Sequence, residues 1–181
     1  MAQIFINYRK TGGSYAAALL DELLSRRFGE KQVFRAARSI EVGSHFAESI
    51  LRAVAGCGVM LVVVDAEWLE KFPADGCDPS SGLDWVVREI EEAFACERIV
   101  IPVLLSGAER LREEALPDAL RRLAGLHYLR FDYRNVRQDS AYMAEQLVRV
   151  CPRVERRNRR SPRCGRLHAL WSTCGRALRG G

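Results

Sequence analysis

The segment 84–90 carries the residue types best suited to chemistry in this chain, because it places an aromatic side chain and a carboxylate on one helical face. Trp85 and Glu89 are four residues apart, so a helix stacks one above the other. Apolar residues at helical spacing on the neighbouring face predict that this helix packs against a core. An indole ring beside a carboxylate at the rim of such a helix could bind a flat heterocycle and act on the sugar attached to it.

A second candidate cluster, Tyr8-Arg9-Lys10, follows the first strand that the sequence predicts. Two cations and an aromatic ring at the end of a strand can receive a phosphate and a flat ring. The alternative is a solvated loop whose charges serve only at the surface, and the spacing alone favours that alternative. The three side chains therefore need a structural context before a ligand is assigned to them.

Several standard catalytic arrangements are absent from the sequence. It contains no Gly-x-Gly-x-x-Gly, no Walker-type Gly-Lys-Ser/Thr and no Gly-x-Ser-x-Gly motif. A phosphoacceptor receiver domain needs an acidic cluster after its first strand, where this chain has Asn-Tyr-Arg-Lys at 7–10. These absences argue against a Rossmann dinucleotide site, a P-loop, a serine-hydrolase elbow and a phosphoacceptor site. The aromatic and acidic pair is left as the main candidate.

Apolar runs alternate with amphipathic segments along the chain, and this alternation predicts the elements that position the candidate residues. We expect strands over 3–7, 33–34, 59–64, 99–105 and 126–131, and helices over 14–27, 44–55, 84–95 and 140–150, with a short helix at 117–123. The run 59–64 is continuously apolar, as in a strand buried on both faces. Strict alternation predicts a doubly wound, parallel α/β sheet, in which ligands bind beyond the carboxyl ends of the strands.

The positive charge of the chain is concentrated at one end. Residues 152–181 contain nine arginines and one glutamate, a net charge of +8 against +5 for the whole chain, so residues 1–151 carry −3. This shift predicts a domain over 1–151 and a basic Arg-rich tail over 152–181. A disordered extension is the favoured interpretation of the tail. The alternative is a short basic amphipathic helix through Leu167, Leu170 and Trp171 that binds an anionic membrane or a nucleic acid.

The cysteine pattern and the apolar runs indicate the compartment. No apolar run approaches the 18 residues of a membrane-spanning helix, and the first residues lack the basic start and apolar stretch of a signal peptide. We therefore expect a cytoplasmic protein in which the six scattered cysteines form no disulfide framework, with buried free thiols at Cys57 and Cys96. No Cys-x-x-Cys pair occurs and no histidine lies at ligand spacing from a cysteine, so we expect no metal site.

Several segments, taken in order, resemble the Toll/interleukin-1 receptor (TIR) domain family in its bacterial, NAD-cleaving branch. The first is 4–10, which is similar to the family's opening strand, although Asn7 replaces the usual serine. The others are 33–35 with 40–43, similar to the second strand and the BB loop, then 84–90, 101–103 and 116–117. Their order and spacing together are specific, and the resemblance covers most of residues 2–150.

The resemblance implies a flavodoxin-like fold and, for members with this glutamate, NAD⁺ nucleosidase activity, which yields nicotinamide and either ADP-ribose or a cyclic ADP-ribose signal. Many bacterial members serve in antiphage defence. Glu89 corresponds to the catalytic glutamate, and NAD⁺ is a substrate, so no cofactor is expected. The residues implied to contact NAD⁺ are Tyr8, Arg9, Lys10, Glu41 and Trp85.

One departure from the family pattern favours a different role. The family usually has an aspartate two residues after the position of Phe34, where this chain has Ala36. Other members of the family lack activity and assemble through TIR–TIR contacts. A weakly active or inactive TIR adaptor is therefore the alternative, and self-association is expected under both interpretations.

Overall fold

Five parallel strands form one sheet in the part of the chain that the structure describes. That structure is a computed structural model, and it describes residues 1–72 and 84–156. The strands are β1 (Ile4–Asn7), β2 (Val33–Phe34), β3 (Val59–Val64), β4 (Ile99–Leu105) and β5 (Leu129–Phe131). They pair in the order β2-β1-β3-β4-β5. This is the flavodoxin-like order, so the predicted α/β fold is confirmed.

Helices cover both faces of the sheet, as predicted. The α-helices are α1 (Ser14–Phe28), α2 (Ala36–Ser39), α3 (Phe46–Gly56), α4 (Trp85–Ala95), α5 (Val136–Val150) and α6 (Arg153–Arg156). Short 3-10 helices lie at Glu30–Gln32, Leu69–Lys71, Glu113–Ala115 and Asp118–Gly125. One core lies between the sheet and the pair α1 and α5, and a second core lies between the sheet and the pair α3 and α4.

The side chains of β1 alternate between these two cores. Ile4 and Ile6 are buried beneath α1 and α5, whereas Phe5 is buried beneath α3 and α4. A period of two places Asn7 on the same side as Phe5. The polar side chain at the end of this strand is therefore directed toward α4 and away from solvent.

Element ends differ from the prediction where the local sequence is mostly polar. Helix α5 begins at Val136 and not at residue 140. The prediction starts late because the first turn of this helix is mostly polar and shows no apolar stripe in the sequence. Strand β5 begins at Leu129 and not at residue 126, and the short helix expected at 117–123 is the 3-10 helix Asp118–Gly125. Helix α2 has no counterpart in the prediction, since four residues are too few to show a period.

The packed structure continues beyond residue 151, where the sequence predicts that the domain ends. Val154 is buried against the core beneath α1 and α5, and Glu155 pairs with Arg27 of α1 at 2.9 Å. The division into a domain over 1–151 and a tail over 152–181 stays a prediction, because residues 157–181 lie outside the described residues.

Other predictions also fall outside the described residues. They concern the tail helix through Leu167, Leu170 and Trp171, and the thiols of Cys77, Cys164 and Cys174. Within residues 1–72 and 84–156 the three cysteines are free thiols. No helix in those ranges has the length and apolar content needed to cross a bilayer.

A buried carboxylate on α1 holds the segment that follows β2. Asp21 accepts hydrogen bonds from Arg35 Nε at 2.9 Å and from Arg38 Nε and Nη2, each at 2.7 Å. Burial raises the pKa of Asp21, but the hydrogen bonds from Arg38 and Arg35 outweigh this effect and keep the pKa below its usual value. The two arginines thereby tie α2 to α1.

We expect Asp21→Asn to lower the free energy of unfolding by about 2 kcal/mol, because it leaves the half-buried Arg35 and the more exposed Arg38 without their counter-charge. Glu22→Gln is the matched control: Glu22 pairs with Arg26 on the exposed side of α1, and its loss should have little effect.

Because the folded-state pKa of Asp21 is lowered, the contribution of Asp21 to the free energy of unfolding is full above about pH 3.8 and falls as pH decreases through the folded pKa. Urea unfolding at pH 7 and pH 3 measures this, and equal effects of the two substitutions would contradict it.

Candidate active site

The start of α4 is fixed by its capping residue. Asp84 Oδ1 accepts hydrogen bonds from the backbone N–H groups of Val86 at 3.0 Å and Val87 at 3.4 Å. These bonds satisfy two of the donors that a helix N-terminus leaves open. The helix therefore begins at Trp85, and Glu89 lies one turn later on the face buried against the sheet.

Arg9 joins the end of β1 to this helix start. Its Nη2 donates a hydrogen bond to Asp84 Oδ2 at 2.5 Å. The guanidinium carbon lies 4.5 Å from the ring centroid of Phe72 and 6.0 Å from that of Trp68. The side chain is only 13% exposed. Arg9 is therefore held by a carboxylate and two aromatic rings, and its contact with NAD⁺ stays a prediction.

Glu89 lies at the end of β1, where it contacts the strand's last side chain. The Nδ2 atom of Asn7 donates to Glu89 Oε2 at 2.7 Å and to the carbonyl oxygen of Val86 at 3.2 Å. Asn7 is fully buried and Glu89 is 7% exposed. The one candidate catalytic acid is thus nearly enclosed by protein, with one of its oxygens bonded to an amide.

This enclosure changes the acidity of Glu89. Burial removes the carboxylate from water and raises its pKa; the hydrogen bond from Asn7 lowers the pKa and the charge of Asp84 raises it. The net effect raises the pKa of Glu89 from an ordinary 4.5 to about 7. A carboxyl group with such a pKa, in a site near strand ends, is a candidate for a functional group. It exchanges its proton near neutral pH.

Trp85, one turn before Glu89 on α4, belongs to an aromatic pair. The rings of Trp85 and Phe46 meet edge to face, with centroids 5.5 Å apart and an interplanar angle of 86°. Trp85 is half-buried, and Phe46, the first residue of α3, is 49% exposed. Edge-to-face pairs of this kind hold each other's orientation. Aromatic surface is therefore available beside the carboxylate.

The other three predicted contact residues differ in burial and in the segment that carries them. Tyr8 packs against the core beneath α1 and α5, beside Arg35, and so lies on the opposite face of the sheet from Glu89. Lys10 and Glu41 are exposed, in the segments that follow β1 and β2. The backbone carbonyl of Glu41 accepts a hydrogen bond from Ser44 N at 3.1 Å. Their contacts with a substrate stay predictions.

Two residues of the site were not among the predicted contacts. Asn7 is separated from Glu89 by 82 positions, and the sequence offers only its polarity at the end of an apolar strand as a signal. Phe46 lies on the same helical stripe as Ile50 and Val54, so the sequence makes it look like a core residue. It is half-exposed because the core ends at Trp85.

The fold and the site together define an α/β domain with an aromatic and acidic site at the carboxyl edge of its sheet. Within residues 1–72 and 84–156, no group of His, Cys, Asp or Glu side chains is arranged to hold a metal ion. The chain belongs to the TIR domain family, since the family's sequence model, described as "TIR domain", matches residues 4–148.

Solved structures of TIR domains have the same fold. The chain is similar to the TIR domains of the activated Roq1 resistosome, which directly recognises the pathogen effector XopQ, with 13% identity and a TM-score of 0.56 over 82% of this chain and 98% of that one. It is also similar to the TIR domain of the Toll-related receptor TRR-2 from the lower metazoan Hydra magnipapillata, with 17% identity and a TM-score of 0.52 over 82% of this chain and 99% of that one. At these identities the likeness concerns the fold alone.

We expect Asp84→Ala to destabilise the protein by about 1–2 kcal/mol, because it removes both the cap and the partner of Arg9. Asp84→Asn keeps a capping oxygen and should cost less; it should also lower the pKa of Glu89, since it removes the charge that raises it. Asp118→Asn, at an exposed pair with Arg121, is the control and should change little. Urea unfolding measures the three. A loss as large for Asp84→Asn as for Asp84→Ala would show that the ion pair, and not the cap, holds this helix end.

Proposed function

We propose that this TIR domain is an NAD⁺ nucleosidase of the bacterial type, which cleaves the N-glycosidic bond between nicotinamide and ribose. Its products would be nicotinamide and ADP-ribose or a cyclic ADP-ribose signal, made in the cytoplasm as part of antiphage defence. The observation that carries the proposal is the enclosed Glu89 carboxylate beside the aromatic surface of Trp85. Self-association with other TIR domains is part of the proposal.

The chemistry of NAD⁺ suits a site with one carboxylate. The nicotinamide ring is a cation in NAD⁺ and leaves as a neutral molecule, so no general acid is needed to protonate it. Ordinary glycoside hydrolysis, in contrast, uses two carboxylates. An ionised Glu89 can hold the ribose and stabilise the positive charge that develops at its anomeric carbon. The enclosed position strengthens this interaction, because little water screens it.

The other residues have distinct parts in the proposed site. Trp85, with Phe46 against its edge, offers a surface on which the nicotinamide or a base can stack. Lys10 and Glu41 are exposed near the strand ends and are proposed to contact the pyrophosphate and the ribose. Arg9 acts indirectly by holding Asp84. NAD⁺ is the substrate, and the reaction as proposed needs no cofactor or metal.

Glu89→Gln should reduce NAD⁺ turnover about 100-fold or more, because it removes the charge that stabilises the transition state while keeping the side chain's shape. Glu91→Gln, which changes an exposed carboxylate of the same helix, is the matched control and should leave turnover unchanged. Chromatography of nicotinamide and ADP-ribose products, at high protein concentration, measures the effect. Full turnover in Glu89→Gln would eliminate the proposal.

Glu89→Gln should also stabilise the protein at alkaline pH. The folded protein retains a proton that the unfolded chain releases between pH 4.5 and about 7, so the free energy of unfolding of the wild type falls as pH rises through this window. Glutamine does not titrate. The variant should match the wild type near pH 4 and exceed it by about 3 kcal/mol at pH 8. Urea unfolding at both pH values tests this; a variant that is less stable at pH 8 would contradict the raised pKa.

An adaptor without activity is the second candidate function. Ala36, where the family usually has an acid, favours it, and so does the exposed apolar surface of Phe46, against Trp85, and of Val42, in the segment after α2. The two candidates differ in one observable. A protein that assembles into a stable complex in size-exclusion chromatography, with no loss of NAD⁺ in any assembled fraction, is an adaptor.

A further inference from the structure

The amide of Asn7 donates hydrogen bonds to two residues on one face of α4. One hydrogen bond goes to the carbonyl oxygen of Val86 and the other to Oε2 of Glu89, which lie three residues apart. Both bonds start from the same nitrogen, so both hydrogens of the amide are in use. Asn7 is fully buried, and its position on β1 is fixed by parallel pairing with Val62 of β3. The strand therefore presents a rigid donor to the carboxylate.

The bond to Val86 determines which atom of the amide faces Glu89. A carbonyl oxygen only accepts hydrogen bonds, so the nitrogen of Asn7 must point toward Val86 and, with it, toward Oε2. A donor at this position favours the ionised carboxylate over the protonated acid. It also occupies Oε2, which directs the other oxygen, Oε1, to be the one that meets a ligand.

Building on the function proposed above, we infer that Asn7 is a positioning residue for catalysis: its amide orients the Glu89 carboxylate, with Oε1 toward the ribose, and keeps it charged in an enclosed site. The serine usual at this position in the resemblance has one hydroxyl hydrogen, so it can donate to only one of the two acceptors at a time. Asparagine donates to both acceptors together, so the amide that links β1 to α4 is also the amide that orients the Glu89 carboxylate.

The charged groups on α4 and on the neighbouring segments leave Asn7 with a distinct effect on Glu89. Asp84, on the same helix, raises the pKa of Glu89, and Arg9 of the segment after β1 is paired with Asp84. On α3, Glu48 and Arg52 pair with each other at the exposed surface. Asp65, after β3, lies against Gly12: a Cβ added there would come within 2.7 Å of Asp65 Oδ2. Asn7 itself is uncharged, and its hydrogen bond lowers the pKa of Glu89.

The test compares the wild type with Asn7→Leu, which keeps the approximate size of the side chain and removes both donated bonds. Gln32→Leu makes the same amide-to-alkyl change at another buried position, near the start of β2 and away from the site. Asn7→Ser is the milder second variant, for use if Asn7→Leu does not fold. The first measurement is a ¹³C NMR titration of the Glu89 carboxyl carbon in the protein without NAD⁺, with the signal assigned from its loss in Glu89→Gln.

The titration of Glu89 should move to higher pH in Asn7→Leu and, by a smaller amount, in Asn7→Ser, and should stay in place in Gln32→Leu. The second measurement is the pH profile of NAD⁺ cleavage. Its acid limb should move to higher pH in the same variants, with kcat at pH 7 reduced about tenfold or more, the factor expected for loss of a hydrogen bond to a charged group. KM should change less than kcat, because the substituted group does not bind NAD⁺ directly.

The two measurements test the role of Asn7 and the proposed nucleosidase activity separately. An unshifted Glu89 titration in both Asn7 variants would overturn the inference, and so would a loss of kcat that is the same at every pH, since that is the result of altered packing. If the wild type cleaves no NAD⁺ in any assembled state, the proposed nucleosidase activity is wrong. In that case a shifted titration would still show that Asn7 controls the charge of Glu89, and an unshifted one would remove that role as well.

Discussion

The burial of one carboxylate between α4 and β1 is the constraint to which the rest of the site is fitted. Glu89 lies in sequence among Val86, Ile90 and Ala93, the apolar residues that fix α4 to the sheet, and all four are buried together. The helix cannot bury this face without also removing the carboxylate from water, which costs free energy. Asn7 offsets part of that cost with a hydrogen bond. The end of β1 is therefore polar at the one position that faces the acid.

A second electrostatic contact, between Arg9 and Asp84, sets where α4 begins. Asp84 uses one oxygen to cap the helix and the other to accept from Arg9. A shift of the helix start by one residue would turn Glu89 about 100° away from Asn7, given 3.6 residues per turn. The ion pair thus preserves the register of the site, although the negative charge of Asp84 also raises the pKa of Glu89. Structural support and chemical tuning come from the same pair.

The sequence predicts the sheet and the helix that carries Glu89 because both depend on local periodicity. The long-range contacts have no such pattern. Arg9 is an example, because a cation after a strand looks the same in the sequence whether it meets a ligand or, as here, a carboxylate 75 positions away. The face of Tyr8 could have been anticipated, since it continues the alternate set of Ile4 and Ile6 and so belongs to the core beneath α1 and α5. The contact between Asn7 and Glu89 could not be anticipated, because the register between β1 and α4 is a product of tertiary packing.

The raised pKa of Glu89 links the stability of the domain to the proposed reaction. An enclosed charge without a counter-charge destabilises the folded protein above neutral pH, and NAD⁺ carries a positive ring that would supply one. As the glycosidic bond breaks, that positive charge leaves the nicotinamide ring and develops on the ribose. A carboxylate held against the ribose then gains more in the transition state than in the bound substrate, which is the condition for acceleration by electrostatics. This gain offsets the free-energy cost of enclosing Glu89 only if the orientation of the carboxylate is fixed before the reaction. The hydrogen bond from Asn7, at the end of β1, fixes that orientation.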